Sequence, residues 1–302
     1  MAYKDVDEKL SRLGKGLKTF VKQPDYDLSA LHDPVFDYVD AQQQGETLYG
    51  QLNDGQRKAV DAILESLENP LAQRLFFIDG PGGSGKTFLY NCLYNQIAGK
   101  MRNVVCTAWT GIASTLLPEG RTSASLFKLD INKDCGESSH KQNTAEGKKL
   151  KDVDVIIWDE CSMIPKKAFE TVDETLKFLT GVDEPFGGKI MVLGGDFRQI
   201  LPVVRRGGRS DTVGASIKTS HLWPSFETHR LTANMRVTTG DKEWIEFLLR
   251  VGDGTENDRD ERVTLPDSVL ETGDLIASVF GDTITRQTDL SESAILAPKN
   301  VE

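Results

Sequence analysis

The chain has 302 residues, 38% apolar and 8% aromatic, with 36 Lys and Arg against 46 Asp and Glu for a formal charge of -10. This is globular composition with enough apolar side chain for one large domain or two smaller ones, and it excludes a disordered chain, a collagen-like fibre and a small disulfide scaffold. The 4 cysteines, Cys92, Cys106, Cys135 and Cys161, form no C-x-x-C pair, which argues against zinc and disulfides and points to a reducing compartment.

Residues 1–20 intersperse charge throughout, so they predict neither a signal peptide nor a membrane anchor. No stretch reaches the ~18 apolar residues of a transmembrane helix. Residues 1–50 lack sustained periodicity and contain the polar run Gln42-Gln43-Gln44, which predicts an N-terminal extension rather than a domain. Over residues 51–68, Val60, Ile63, Leu64 and Leu67 fall at helical spacing, with Asn53 or Asp54 available as N-cap. Leu75-Phe76-Phe77-Ile78 then reads as a short buried strand ending at Gly80, followed by a glycine-rich turn and a helix near residues 85–98. Val104-Val105-Cys106, Val155-Ile156-Ile157-Trp158 and Ile190-Met191-Val192-Leu193 repeat the short apolar run. Strands alternating with helices predict an α/β domain with a parallel sheet, whose site lies at the carboxyl ends of the strands.

Residues 130–151 interrupt this pattern and read as a surface insertion, so the α/β body spans 51–239. Residues 240–302 read as a helix, an acidic linker over 252–263 and, at Ala294 to Pro298, the first strand of something else. The acidic excess lies in the flanks, while acid and base nearly balance over 51–239. There Lys148, Lys149, Lys151, Arg198, Arg205, Arg206 and Arg209 either track phosphates or form a solvated surface.

Gly80-Pro81-Gly82-Gly83-Ser84-Gly85-Lys86-Thr87 satisfies G-x-x-x-x-G-K-[ST] between a strand and a helix, the context of a phosphate-binding P-loop. Its glycines let backbone N–H groups of residues 82–87 and the helix N-terminus face an anion. Lys86 is expected on the β and γ phosphates of a nucleotide, and the Thr87 hydroxyl on Mg²⁺. Asp159-Glu160 follows the Val155–Trp158 run, where Asp159 can hold Mg²⁺ and Glu160 can deprotonate an attacking water. Gly194-Gly195-Asp196-Phe197-Arg198-Gln199 ends the next strand on the same rim, and Gln199 can sense a γ phosphate. Arg236, in Leu231-Thr232-Ala233-Asn234-Met235-Arg236, can act as an arginine finger.

Together these segments resemble the superfamily-one DNA helicases of the Pif-one family, including its Helitron-transposon branch. GPGGSGKT looks like motif I of that family, Thr110 to Ser114 (TGIAS) like motif Ia, Trp158 to Met163 (WDECSM) like motif II, Pro185 to Val203 like the stretch through motif III, and LTANMR like motif IV. The resemblance implies a P-loop, RecA-like sheet flanked by helices, hydrolysing ATP with Mg²⁺ and moving 5′ to 3′ on single-stranded DNA. It implies an adenine-reading motif at Asn53 and Gln56, and a single-strand path at Thr110, Gly111 and Ser125. Trp109 either stacks a base or packs on the core. Trp109 replaces the Pro or Ser that many relatives have there, and Ala124 replaces their frequent His.

In that family a second RecA-like domain begins with a segment similar to Ala294 to Asn300, so the cleft is expected to need a further domain. Implied roles are duplex unwinding at single-strand/duplex junctions in DNA repair, recombination and telomere maintenance, with nuclear, or in the parent protein mitochondrial, localisation and no membrane. The alternative is a nucleotide- and DNA-binding fragment of a Helitron-type helicase that does not turn over.

Overall fold

Short apolar runs that alternate with amphipathic helices assemble here as a sheet covered on both faces. The computed structural model describes residues 36–130, 135–233, 235, 242–286 and 293–295. The chain divides into two units, Met1–Gly240 and Asp241–Glu302. In the first, strands β1 (Leu75–Asp79), β2 (Val104–Ala108), β3 (Arg121–Thr122), β4 (Val155–Asp159), β5 (Ile190–Gly195) and β6 (Glu227–Arg230) form one parallel sheet in the order β3-β2-β4-β5-β1-β6. The helices of this unit are α1 (Tyr38–Gly50), α2 (Asp54–Glu68), α3 (Lys86–Gly99), α4 (Gly111–Thr115), α5 (Ser123–Leu126), α6 (Ala145–Lys151), α7 (Lys166–Thr180) and α8 (Arg209–Gly214).

Successive strand residues point to opposite faces, and each face has its own core. Phe77, Ile156, Trp158 and Leu193 pack with Phe169, Val172 and Leu176 of α7. Phe76, Ile78, Ile157 and Val192 pack with Val60 and Ile63 of α2 and with Leu89 and Leu93 of α3. Double burial explains why the four inner strands, β1, β2, β4 and β5, read as short apolar runs rather than as alternating ones. β3 and β6 escape that pattern: one has two residues, and the other is the largely exposed sequence Glu227-Thr228-His229-Arg230.

Residues 38–50, read as part of an irregular extension, form helix α1, capped by the Asp37 carboxylate accepting from the N–H groups of Val39 and Asp40 at 3.0 Å each. Its buried residues are Ala41 and Gly45, while Gln42, Gln43 and Gln44 are exposed. A contact made by backbone and methyl groups carries almost no hydropathy signal, which is why periodicity misses it. The approach to α3 is close: a Cβ on Gly45 would lie 2.9 Å from Gln96 N, and one on Gly99 would lie 2.7 Å from Gln42 Cα. Within the stretch read as an insertion, residues 145–151 form α6, which buries Leu150.

In the second unit, α9 (Lys242–Gly252) is followed by polar turns that close on their own side chains. Arg250 pairs with Glu256 at 2.6 Å, and the Asp258 carboxylate accepts from the N–H groups of Asp260 and Arg262 at 2.8 and 2.9 Å. A further helix, α10, spans Leu275–Arg286. Of the predicted strand near residues 294–298, Leu296 to Pro298 lie outside the described residues. No described helix is long and apolar enough to cross a membrane.

The α1–α3 contact makes a direct prediction. Gly45→Val should destabilise the fold by about 1–3 kcal/mol through overpacking, measured by thermal or urea unfolding. Gly50→Ala, where a Cβ meets nothing within 4 Å, should leave stability unchanged or slightly raised.

Candidate nucleotide-binding site

Parallel strands all end at one edge, so the segments after β1, β4, β5 and β6 share a rim. The P-loop leaves β1 there and is tied to its neighbour by Gly80 N–H donating to Gly195 O at 3.3 Å. Gly85 has a φ of 81°, and a Cβ on it would overlap the Gln56 amide, so glycine is required twice over at this position. Lys86 folds back so that Nζ donates to Gly80 O at 2.6 Å, which holds the ammonium inside the loop. Thr87 is exposed at the first turn of α3. Gln199 reaches the loop from the segment after β5: a Cβ on Gly82 would lie 3.8 Å from its Nε2.

Beside Lys86 stand the carboxylates. Asp159 ends β4, is buried, and accepts a hydrogen bond from the Tyr90 hydroxyl at 3.0 Å. Burial pushes its carboxyl above the usual range, opposed by the Glu160 backbone N–H, the Lys86 charge and the Tyr90 hydroxyl. Glu160, half-buried, is pushed up by burial and then by the charge on Asp159, with Lys86 opposing. A carboxylate held above its ordinary range is better matched to accepting a proton near neutral pH. Glu160 has φ 55° and ψ 41°, a left-handed conformation costing on the order of 1–3 kcal/mol in a non-glycine residue, of the kind concentrated at functional sites. Asp196, also buried, pairs with Arg198 at 3.0 Å, and the same guanidinium lies 3.9 Å from Asp79 at the end of β1.

Asn53 and Gln56 make a reciprocal capping box at the start of α2. Gln56, expected on a base, is fully buried: Oε1 accepts from Asn53 N–H at 3.1 Å, and Nε2 lies 3.4 and 3.3 Å from the carbonyls of Ser84 and Gly85. In this geometry its carboxamide braces the P-loop from below. The segment leading toward Arg236 crosses the same loop, with Leu231 N–H donating to Asp79 O at 2.8 Å and Met235 N–H to Gly83 O at 2.7 Å. Arg236 itself lies outside the described residues.

The residues assigned to a DNA path lie on the two short helices α4 and α5, which follow the paired strands β2 and β3. Thr110 caps α4, its hydroxyl accepting from Ala113 N–H at 3.3 Å, and Gly111 opens that helix beyond the carboxyl end of β2. Ser125 lies on α5, whose Ser123 hydroxyl donates to Ala108 O at the end of β2 at 2.9 Å, and it also lines a cavity of about 660 Å³ with Cys106, Arg121 and His140. Trp109 is half-buried and packs against the core, which is the packing alternative of its two readings.

The profile of the family described as PIF1-like helicase matches residues 51–262, well over half of the chain. The chain belongs to the PIF1-like helicase family. Among curated proteins it is similar to the ATP-dependent DNA helicase Pif1 of a Psychrobacter species, 33% identical over 177 residues, covering 57% of this chain and 27% of the relative. The Pif1 helicase of Bdellovibrio bacteriovorus is 29% identical over 214 residues, covering 69% of this chain and 45% of the relative. Among solved structures, Bacteroides Pif1 in complex with ADP-AlF4 superposes with a TM-score of 0.55 at 25% identity, over 70% of this chain and 48% of that one. The Candida albicans Pif1 helicase gives 0.56 at 23%, over 72% and 50%. The chain thus spans less than half the length of these curated relatives, and the family supports the P-loop, RecA-like fold.

Two rim residues emerge only from the folded chain. Tyr90 and Asp79 carry no motif signal, because each meets its partners, Asp159 for the first and Arg198 and Arg230 for the second, far along the chain. Among the described residues no cluster of three or more His, Cys, Asp and Glu could hold a metal ion. The buried acids also predict a cost. The folded state holds the Asp159 proton more tightly than the unfolded chain does, so stability falls as pH rises above the ordinary carboxylate range. Asp159→Asn should therefore raise the melting midpoint of the nucleotide-free protein at neutral pH, by about 2–4 °C for each kcal/mol relieved. The gain should vanish as pH falls below the ordinary carboxylate range; a variant melting below the wild type at neutral pH would contradict it.

Proposed function

We propose that the chain carries the nucleotide-binding RecA-like motor domain of an ATP-dependent DNA helicase. It couples ATP hydrolysis to 5′-to-3′ movement on single-stranded DNA and to unwinding at single-strand/duplex junctions. The observation that carries this reading is the meeting of a P-loop lysine with the Asp159-Glu160 pair and Gln199 on one rim of the sheet. Lys86 and the backbone N–H groups of residues 82–87, including those of Gly82, Gly83, Ser84 and Gly85, bind the phosphates. Thr87 and Asp159 supply the hard oxygen donors for Mg²⁺, which when bound offsets phosphate charge.

Glu160 takes the proton from the attacking water. Gln199, alongside Gly82, senses the γ phosphate, and Arg236 supplies charge to the transition state. Asn53 and Gln56 act by bracing the loop that holds the nucleotide. Thr110 and Gly111 meet phosphates of the single strand, and Ser125 contributes to the same path. A second RecA-like domain closes the cleft in the parent protein. Nuclear work in repair, recombination and telomere maintenance is the physiological setting we assign to it.

The test is ATP hydrolysis and fluorescent-nucleotide binding by the 302-residue chain, with and without single-stranded DNA. Lys86→Ala should abolish nucleotide binding, and retained affinity would sink the reading. Glu160→Gln should keep nucleotide affinity within about threefold while lowering any turnover by about 10²–10⁴. Stimulation of turnover by single-stranded DNA is expected of a DNA motor; turnover indifferent to DNA would point to a different coupled substrate.

A further inference from the structure

Among the described residues of this rim, Tyr90 is fully buried, carries a polar hydroxyl and belongs to no motif. It lies four residues after Lys86 on α3, so the two share a helix face. Its hydroxyl donates to Asp159 Oδ1 at 3.0 Å, and burial, followed by the nearby Asp159 charge, pushes its own ionisation well above the usual phenol range. The hydroxyl therefore remains a donor at any physiological pH. Space for it is made by an absence: a Cβ on Gly194 of β5 would fall on the Tyr90 hydroxyl and come within 3.2 Å of Asp159 Oδ1. One helix and two strands thus converge on one carboxylate.

We propose that Tyr90 is a positioning residue for Mg²⁺–nucleotide binding, locking the Asp159 carboxylate into one orientation through a hydrogen bond that Gly194 makes room for. This rests on the reading of Asp159 as the carboxylate that holds the cation. Without the hydroxyl, Oδ1 of a buried carboxylate loses its donor, and the carboxylate must be reoriented each time the cation binds. Partners that orient a metal-binding carboxylate typically affect metal affinity by about 10–100-fold when removed.

The experiment is a Mg²⁺ titration of fluorescent ADP binding to the full chain, for wild type, Tyr90→Phe, Gly194→Ala and Asp159→Asn, with the affinity in EDTA and the melting midpoint measured for each. Tyr90→Phe should need about tenfold more Mg²⁺ for half-maximal binding, with affinity in EDTA unchanged. Gly194→Ala, whose methyl group would take the place of the hydroxyl and so push the intact tyrosine off Asp159, should shift the titration in the same direction and carries the test if Tyr90→Phe does not fold. A merely structural role would lower the melting midpoint or the EDTA affinity without moving the Mg²⁺ requirement, and would overturn the proposal. If Asp159→Asn moves the requirement and neither other variant does, the positioning role fails while the Asp159 reading stands. If Asp159→Asn leaves it unmoved, that reading fails and the proposal with it.

Discussion

Burial of a parallel sheet on both faces is the constraint from which the rest of the structure follows. Strands covered on each side by helices cannot carry charge along their length without large desolvation costs. Polar chemistry is therefore pushed to the strand ends, and parallel strands place those ends on a single rim. Asp79, Asp159 and Asp196 each stand at or just beyond the end of a central strand, while the residues before them are buried on one face or the other. The PIF1-like motifs are separated by long stretches of sequence and meet because the topology leaves them nowhere else to go.

The rim then has an electrostatic problem, since four carboxylates gather on it and two of them, Asp159 and Glu160, share the charge of Lys86. Its solution is graded rather than complete. Asp196 is matched by Arg198, Asp79 is approached by Arg198 and Arg230, and Asp159 has the Tyr90 hydroxyl. Glu160 has no such close partner among the described contacts and sits in a strained backbone conformation. A residue left half-buried, pushed up in pKa and conformationally strained is poised to exchange a proton.

Close approach is the second recurring device. Gly194 admits the Tyr90 hydroxyl beneath the strand end, Gly85 admits the Gln56 amide beneath the P-loop, and Gly45 lets α1 lie against α3. At each place a missing Cβ brings a polar group or a whole helix to within contact distance of the nucleotide-binding scaffold. α3 begins at Lys86, and α1 supports its C-terminal half, at Cys92, Gln96 and Gly99.

The amino-acid sequence by itself determined the class of fold, the phosphate loop, the Asp159-Glu160 pair and the Gln199 segment. Each is a local pattern, an apolar run followed by residues whose chemistry is legible at short spacing. It also determined the start of α2, because Asn53 and Gln56 form a box within four residues. Its periodicity missed α1, whose buried seam is Ala41 and Gly45, and passed over β3 and β6, which are too short or too exposed to show a pattern. Only the tertiary structure decided that Gln56 faces the P-loop and that Tyr90 holds Asp159. Those are contacts between residues far apart in the chain, made by side chains that in any local window look like ordinary helix or cap residues. What joins them is the packing of α2 and α3 on the sheet, which brings distant positions within hydrogen-bonding distance.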